Sequence, residues 1–390
     1  MQRLSLPALC LATLLAFPAA ATAGDRIVSA GDADYQRVGG HDRYHDGGPG
    51  ELALVDMSGP RPAILDRIAV DHTIAGPPQA VAITPDGEFA FVAAPARYDA
   101  EHNDEAPERF LQVIPVRDSK FGPVSRIPLT SQPEGLAVSP DGHLLLAGLI
   151  NGSVAIVAIH DHEARLQGYL PLSTGRLAGV SFTHDGTSAL VALRDEQGLA
   201  VLGIDHDRVS DRHQHVSTGV APYAVDVSSD GHWAVAGNVG LAGLANHGWA
   251  DAGDLDTISL IDVSHLPFRT VQYLPTPSLP EGVAISPDGQ WIAVLSMNGS
   301  QLPTGNPGRH EHGVLQLFRL AGGKAVEVDR QDAGPGGQGV VFSQDSRQLL
   351  AQYTVDRQIA VFDIHAGRLH DTGQRLSLRG GPDSIRSMPR

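Results

Sequence analysis

The chain has 390 residues, a formal net charge of −16 and 42% apolar residues. This apolar content is enough to build a packed core and excludes an intrinsically disordered chain. The acidic balance argues against nucleic acid as a partner, because proteins that bind it carry a basic surface. The 44 glycines and 27 prolines predict many turns, and therefore short strands rather than long helices.

Residues 1–23 have the features of a secretory signal peptide. Arg3 supplies the positive charge, the segment Leu4–Ala20 is apolar, and Ala21-Thr22-Ala23 provides the small residues of a cleavage site. The apolar stretch is shorter than the roughly 20 residues of a membrane-spanning helix, which disfavours the alternative of an uncleaved anchor. We therefore expect cleavage before Gly24, export to the periplasm if the cell is Gram-negative, and no membrane span in the mature chain.

The single cysteine, Cys10, lies inside this N-terminal segment. A mature chain that begins at Gly24 would contain no thiol. This composition excludes disulfide bonds, thiolate catalysis, cysteine-ligated zinc and covalently attached haem from the functions to be considered.

A short phrase recurs along the chain, in which two apolar strands flank a turn of the form Ser/Thr-x-Asp-Gly. The turn aspartates of the six copies are Asp86, Asp141, Asp185, Asp230, Asp288 and Asp345. Asp can cap the local backbone and Gly accepts a positive φ, so the phrase predicts a tight turn. In the last copy Ser346 replaces Gly, which predicts some strain or a different turn. The spacing of 44 to 58 residues is typical of propeller blades or solenoid units.

A second apolar phrase occurs seven times, and its extra copy lies near the N-terminus. The segment 381–387 looks like an inner strand without outer partners. Joining the two chain ends would complete one blade, with outer strands from about Arg26–Ala30, 51–57 and 63–70. This closure leaves no open sheet edge. The sequence therefore predicts one all-β domain over residues 24–390, a seven-bladed β-propeller of four-stranded blades; a β-helix or two sandwiches are the alternatives.

The repeated phrase resembles the YVTN-type β-propeller repeat, as in Gly135–Gly142 and Gly282–Gly289. The chain is also similar to the seven-bladed lactonase-like propellers over most of its mature length. Propellers of this kind include lactone hydrolases, amine oxidases with a partner subunit, haem d1 proteins and plain binding proteins, so function has to be argued from the site. The resemblance implies a His/Glu/Arg set on one face, which carries over to Glu134, Arg176 and Glu281.

Four long connections between the second and third strands of their blades fall on one face of the predicted ring. They are Gly31–Gly50, Pro95–Arg109, Asn238–Leu255 and Met297–His312. Long loops on a compact scaffold usually carry function. These loops contain six histidines, namely His41, His45, His102, His247, His310 and His312. With the carboxylates beside them they predict a transition-metal site for Cu, Zn or Fe, and the alternative is that they are solvated loop residues.

The connections that enter each inner strand deliver a second set of side chains to the same face. This set forms a ring around the channel mouth, consisting of Gln79, Glu134, Arg176, Tyr223, Glu281, Gln338 and Asp383. A convergent polar ring at a concave mouth is typical of a ligand site.

Roles can be assigned within this ring. Burial would raise the pKa of Glu134 and Glu281 towards general acid–base work, and Arg176 would hold a carboxylate or a lactone oxygen. The other members, with Trp249 of the third long loop, are candidate ligand-binding residues. The alternative is that the Pro-Glu-Gly segments only form polar turns.

Two classes of function follow from this arrangement. The first is an exported propeller that binds a protein or a small ligand on the loop-rich face, which the absence of a local catalytic motif slightly favours. The second is an enzyme at the same face, either a lactonase-like hydrolase or a metal-dependent oxidoreductase with histidine ligands.

Overall fold

The computed structural model describes residues 25–38, 41–240 and 254–389, and the side chains of residues 36–38, 41 and 42 are not described. This part of the chain forms only strands and turns. The strands are β1 (Arg26–Asp32), β2 (Tyr35–Val38), β3 (His41–Tyr44), β4 (Gly50–Asp56), β5 (Ala63–Val70), β6 (Val81–Ile83), β7 (Phe89–Ala93), β8 (Ala96–Asp99), β9 (Asp104–Pro107), β10 (Phe110–Arg117), β11 (Lys120–Phe121), β12 (Ser125–Pro128), β13 (Pro133–Val138), β14 (Leu144–Leu149), β15 (Ser153–His160), β16 (Glu163–Pro171), β17 (Leu177–Phe182), β18 (Ser188–Leu193), β19 (Gln197–Asp205), β20 (Arg208–Val220), β21 (Pro222–Val227), β22 (Trp233–Asn238), β23 (Thr257–Asp262), β24 (Arg269–Pro275), β25 (Pro280–Ile285), β26 (Trp291–Ser296), β27 (Gly313–Ala321), β28 (Lys324–Ala333), β29 (Gly337–Phe342), β30 (Gln348–Tyr353), β31 (Gln358–His365), β32 (Arg368–Ser377) and β33 (Gly381–Ser387). Within the described ranges, no helix is long and apolar enough to cross a membrane.

The strands form seven antiparallel blades around a central channel, as the repeats predict. Blades 3 to 7 each use four consecutive strands, and blade 2 uses β6, β7 and β10 to β12; in each of these blades the first strand lies at the channel and the last at the rim. In blade 2 the outer position is divided between β11 and β12, which both pair with β10. The two faces of each blade are apolar and pack against the neighbouring blades, so the core is a ring of clusters between sheets.

Blade 1 closes the ring with strands from both chain ends. Its order is β33-β1-β4-β5, so the C-terminal strand is innermost and the N-terminal strand β1 pairs with it. The closure inferred from the unmatched phrases is confirmed. Two of the long loops contain a feature that the sequence analysis did not predict, since β2–β3 and β8–β9 form hairpins that project from blades 1 and 2.

The repeated Asp-Gly turns share one hydrogen-bond pattern. In the first copy, the Thr84 hydroxyl donates to Asp86, and the same Asp86 oxygen accepts the backbone N–H of Glu88 at 2.9 Å. The last copy keeps this pattern, with Ser343 and Asp345, although Ser346 adopts a φ of 61°. The strain expected from the missing glycine is therefore present in an otherwise unchanged turn.

Glycine near the start of an inner strand lets neighbouring inner strands approach each other. A Cβ at Gly135 would lie 2.5 Å from the carbonyl oxygen of Ala178, and a Cβ at Gly282 would lie 2.3 Å from that of Gln338. Both distances are far below van der Waals contact. The glycine that opens several copies of the phrase is thus a packing requirement of the channel wall.

We expect Gly282→Ala to lower the free energy of unfolding by about 1–3 kcal/mol, because the added methyl group overlaps backbone that has little room to move. The matched control is Gly168→Ala on the outer strand β16, where no heavy atom lies within 4 Å of the added Cβ. That control should leave stability unchanged or raise it by roughly 0.4–1 kcal/mol. Urea unfolding midpoints compare the two, and equal midpoints would contradict this account of the channel wall.

Two side chains cross the channel and divide it. The Gln79 amide donates to the carbonyl of Val225 at 2.7 Å and accepts its N–H at 3.0 Å, which joins blade 2 to blade 5. The Arg386 guanidinium donates to the carbonyl of Val180 at 2.7 Å and lies 3.6 Å from Asp226. A cavity of about 130 Å³ lies in the channel, among the inner strands and the Asp-Gly turns.

Candidate functional site

The polar ring at the mouth is built from β-bulges at the start of the inner strands. The register shifts where Glu134, Tyr223, Glu281, Gln338 and Asp383 lie, so each of these residues is unpaired in its ladder. A bulge turns a side chain out of the regular alternation of a strand. The repeated bulge therefore directs these side chains towards one mouth.

Blade 4 departs from this arrangement. Its bulge contains Ala178 and Gly179, so the ring position predicted for Arg176 is occupied by Ala178. Arg176 lies two residues earlier and still reaches the ring, because its Nη2 donates to Glu134 Oε2 at 2.9 Å. Its backbone N–H donates to Asp195 at 2.8 Å, which fixes the turn that carries it.

Glu134 and Arg176 form a partly buried ion pair. Glu134 is 1% exposed, and burial raises the pKa of its carboxyl to about 7 against the lowering effect of Arg176. Burial opposes the charge of Arg176, but Glu134 and other nearby groups hold the pKa of the guanidinium above its usual value. Glu134 thus titrates near neutrality while Arg176 stays protonated.

Arg194 joins this group from the end of β18. Its backbone N–H donates to the carbonyl of Arg176 at 2.9 Å, and its guanidinium carbon lies 5.0 Å from the centre of the Tyr223 ring. The Arg194 side chain is buried, and its Nε and Nη1 have no hydrogen-bond partner within the described ranges. Burial lowers the pKa of Arg194, and the positive charge of Arg176 acts in the same direction.

Glu281 lies close enough to Arg194 and Arg176 to interact with both charges. Burial raises the pKa of its carboxyl to about 7, although Arg194 and Arg176 oppose the shift. Burial also raises the pKa of the neighbouring Asp256 to about 6. Burial and Glu281 keep the pKa of the Tyr223 hydroxyl above its usual value, so this tyrosine remains a proton donor. The mouth therefore combines two carboxyls that titrate near neutrality, two arginines and a protonated tyrosine.

A second buried cluster lies on the blade 1 side of the mouth. His72 contacts Asp383 through Nε2 and the carbonyl oxygen of Ala93, at 3.1 Å, through Nδ1. Asp383 also accepts the N–H of Asp32 at 3.2 Å, and the Asp32 carboxylate accepts the N–H of Ile74 at 2.9 Å. We call His72, Asp383 and Asp32 the closure cluster, because it connects β33, β1 and the link from blade 1 to blade 2.

The protonation of the closure cluster follows from its contacts. Both ring nitrogens of His72 face oxygen atoms, and the imidazolium form donates to both the Ala93 carbonyl and the Asp383 carboxylate. Burial opposes that charge, but Asp383 and Asp32 outweigh it and raise the pKa of His72. Burial and Asp383 raise the pKa of Asp32 to about 6.

The two glutamines of the ring differ in how they are engaged. Both polar atoms of the Gln79 amide are bound to Val225, so this side chain holds the channel together. The Oε1 of Gln338 is buried without a partner in the described part of the chain, and it remains a candidate for ligand contact. Ligand binding by either glutamine stays a prediction.

The predicted metal ligands are scattered where the structure describes them. His102 pairs with Asp99 at 2.7 Å, and His310 and His312 are exposed. His45 has a buried Nδ1 without a partner in the described residues. No group of three or more His, Cys, Asp or Glu residues in the described ranges is placed to hold a metal ion. His41 lies in β3 with its side chain undescribed, and His247 and Trp249 lie outside the described residues.

Sequence reasoning missed Arg194 and His72. Arg194 directly follows an apolar strand and opens a short turn on the binding face, which was the signal that could have identified it. His72 lies two residues after the end of β5, at the link into blade 2. Because β5 contains Asp66 and Arg67 and is largely half-buried or exposed, no comparable signal marked His72.

Comparison with known proteins shows the fold. No protein-family model and no curated protein sequence matches the chain. A Bacteroides uniformis protein provisionally described as a 6-phosphogluconolactonase has a TM-score of 0.68 at 13% identity, over 93% of this chain and 100% of its own. The periplasmic gluconolactonase of Pseudomonas aeruginosa has a TM-score of 0.64 at 17% identity, over 93% of this chain and 99% of its own.

Another similar structure is not described as a lactonase. The hydrazine synthase of Kuenenia stuttgartiensis has a TM-score of 0.56 at 18% identity, over 76% of this chain and 80% of the matched chain. The structural neighbours thus include lactonase-like propellers and a hydrazine synthase, and the fold alone does not choose between their functions.

Proposed function

We propose that this protein is a lactonase-like hydrolase that opens a small cyclic ester, such as a sugar lactone, at the channel mouth. The observation that carries the proposal is the combination of Glu281, a buried carboxyl with a pKa of about 7, with Arg194 and Tyr223 beside it. A general base is most effective when its pKa is near the working pH. The resemblance to the YVTN-type and lactonase-like repeats and the gluconolactonase neighbour support the same assignment.

In the proposed ester hydrolysis each of these groups has a role. The Glu281 carboxylate takes a proton from water, and the water oxygen forms a bond with the lactone carbonyl carbon. Arg194 and the Tyr223 hydroxyl donate hydrogen bonds to the oxyanion that forms on the former carbonyl oxygen. The carbon–oxygen bond of the ring then breaks, and the protonated Glu281 returns its proton to the leaving oxygen. The product is an open hydroxy acid, whose carboxylic acid group releases its proton to the solvent at neutral pH and becomes a carboxylate.

The Glu134–Arg176 pair supports this chemistry from the neighbouring blades. Arg176 is held by Glu134 and cannot swing away without leaving a buried carboxyl unpaired. It therefore keeps a fixed positive charge near Tyr223. We assign this pair to positioning and electrostatics, and we assign proton transfer to Glu281.

Binding without turnover is the second candidate, and one observation favours it. The ring residues are almost fully buried, since Glu134, Tyr223 and Glu281 are 1%, 8% and 9% exposed. A protein that holds a small ligand tightly would also enclose its polar groups in this way. Both candidates place the ligand at the same mouth and differ only in whether a bond is broken.

A turnover assay separates the two. Purified protein is incubated with glucono-1,5-lactone and a panel of other lactones, and ring opening is followed by the acid released, with spontaneous hydrolysis subtracted. Hydrolysis in excess of the spontaneous rate supports the hydrolase. If the protein binds a lactone without accelerating its hydrolysis, the binding function is supported and the hydrolase is excluded. A second assay with added Cu, Zn or Fe tests the metal-dependent oxidoreductase.

We also propose that the protein works in the periplasm after removal of residues 1–23. The proposal rests on the basic residue, the apolar stretch and the small residues at the predicted cleavage site. Expression in a Gram-negative host should yield a periplasmic chain that begins at Gly24, which mass spectrometry of the intact protein and N-terminal sequencing detect. A chain that retains Met1 in the membrane fraction would show that the segment is an anchor.

A further inference from the structure

Arg194 is a buried cation with two side-chain N–H groups that have no hydrogen-bond acceptor in the described residues. Arg194 is 8% exposed, and neither Nε nor Nη1 has an acceptor in the described part of the chain. The other arginines near the channel each donate a hydrogen bond from the side chain. Arg176 also has a buried Nε without a partner in the described residues, but its Nη2 donates to Glu134 at 2.9 Å, and Arg386 donates to a backbone carbonyl at 2.7 Å. Burial of charged donors without acceptors is costly, so their presence at a mouth points to an acceptor supplied by a ligand.

The surroundings of Arg194 favour an anionic acceptor. Four charged or titratable groups act on it, namely Arg176, Tyr223, Glu281 and Asp195. Arg176 adds positive charge, Tyr223 is neutral, and Asp195 is engaged by the backbone N–H of Arg176. Glu281 is only partly ionised near neutrality, so it leaves part of the charge of Arg194 uncompensated. A carboxylate matches the planar donors of a guanidinium better than a neutral hydroxyl does.

The Tyr223 ring completes the site. It packs against the guanidinium at 5.0 Å, which holds Arg194 in place without using its N–H groups. A fixed guanidinium loses little conformational freedom when it binds a ligand, so the stacked pair is preorganised for one acceptor.

We propose that Arg194 is the carboxylate-binding residue of the mouth, and that the mouth binds small hydroxy carboxylic acids. The carboxylate site rests on the contacts of Arg194 alone. The choice of hydroxy acids rests on the proposed function, because opening a lactone produces a hydroxyl and a carboxylate in the same molecule. The acid released by the reaction would then compete with substrate for the mouth.

Calorimetric titration with D-gluconate and D-sorbitol tests the proposal. The two probes share five hydroxyl-bearing carbons and differ at one end, where gluconate carries a carboxylate and sorbitol a CH₂OH group. We expect the protein to bind gluconate at least about tenfold more tightly, since hydrogen bonds to charged groups are stronger than neutral ones. Arg194→Gln should bind both probes equally, while Arg194→Lys should keep part of the preference because it keeps the charge.

Arg165→Gln is the matched control, because it removes the same charge from an exposed position on the outer strand β16. It should keep the full preference for gluconate. Circular dichroism and the unfolding temperature establish that Arg194→Gln is folded. A preference that survives in Arg194→Gln, or equal binding of gluconate and sorbitol by the unmodified protein, would overturn the proposal.

The outcomes also separate this inference from the proposed hydrolase. Lactone turnover without a preference for gluconate overturns the carboxylate site and leaves the hydrolase. Gluconate binding that depends on Arg194, without lactone turnover, supports the site and removes the hydrolase.

Discussion

Replacement of Glu281 by Gln should lower kcat for lactone opening by about 10²–10⁴-fold, the usual contribution of a positioned general base. Glutamine has the shape of the protonated carboxyl but cannot accept a proton from water. Because burial raises the pKa of Glu281 to about 7, the rate of the unmodified protein should rise with pH and level off above about pH 7. The variant should lose this rising limb as well as the rate.

The control for Glu281→Gln is Glu163→Gln, an exposed residue of the outer strand β16. It changes the net charge equally and should leave both kcat and the pH profile intact. Glu134→Gln provides a second variant within the mouth for comparison with Glu281→Gln. The amide oxygen of the new glutamine can still accept the hydrogen bond from Arg176. If Glu281→Gln keeps a normal kcat or an unchanged pH profile, a residue other than Glu281 carries out the proton transfer.

The closure cluster gives the second large effect, which is on stability. Replacing His72 by Gln or Asp383 by Asn should lower the free energy of unfolding by about 3–5 kcal/mol, the cost of breaking a buried ion pair on one side only. The double variant should lose less than the sum of the single losses, because the partners act on each other. Urea unfolding of the four proteins measures this coupling.

The same cluster makes stability depend on pH with a defined sign. Asp383 and Asp32 raise the pKa of His72 above the value of 6.5 that it has when exposed, so the folded protein holds the proton more tightly. The stabilisation is complete below about pH 6.5 and is lost as the pH rises through the folded pKa of His72. The raised pKa values of Glu134, Glu281 and Asp32 also lower stability as the pH rises, but only up to about pH 7. Above that pH the unfolding midpoint should continue to fall in the unmodified protein and change much less in His72→Gln.

His206→Gln is the control for this pH series, since the His206 side chain is 95% exposed and its partner Asp205 is 81% exposed. It should follow the pH dependence of the unmodified protein. A His72→Gln variant that also follows it would show that another group is responsible.

The repeats were sufficient to predict the architecture. The Asp-Gly turns and the apolar phrases recur at similar spacings along the chain. The turns form where their residues predict tight turns, and the apolar phrases form strands. Even the closure of blade 1 could be inferred, because the chain ends carried complementary parts of one repeat. The hairpins β2–β3 and β8–β9 were missed because their short strands lack apolar alternation and are paired only with each other.

The site was only partly accessible from sequence, for a geometric reason. Equivalent positions of the copies predict Glu134, Tyr223 and Glu281 at the mouth, and the bulges place them there. Arg194 and His72 belong to other strands of their blades, so their approach to the ring depends on distances across the fold rather than on spacing along the chain. The same holds for Arg176, which reaches Glu134 from outside the ring position held by Ala178.

The pairing of β33 with β1 has a consequence for how a complete molecule is made. The strand that finishes blade 1 is the last to be synthesised, and until it arrives β1 has an unpaired edge beside the channel. A chain interrupted before residue 381 would keep six complete blades yet expose this edge to other chains and to proteases. It would also lack Asp383, and with it the partner of buried His72. Closure of blade 1 therefore depends on β33, so products truncated before residue 381 should be removed rather than accumulate.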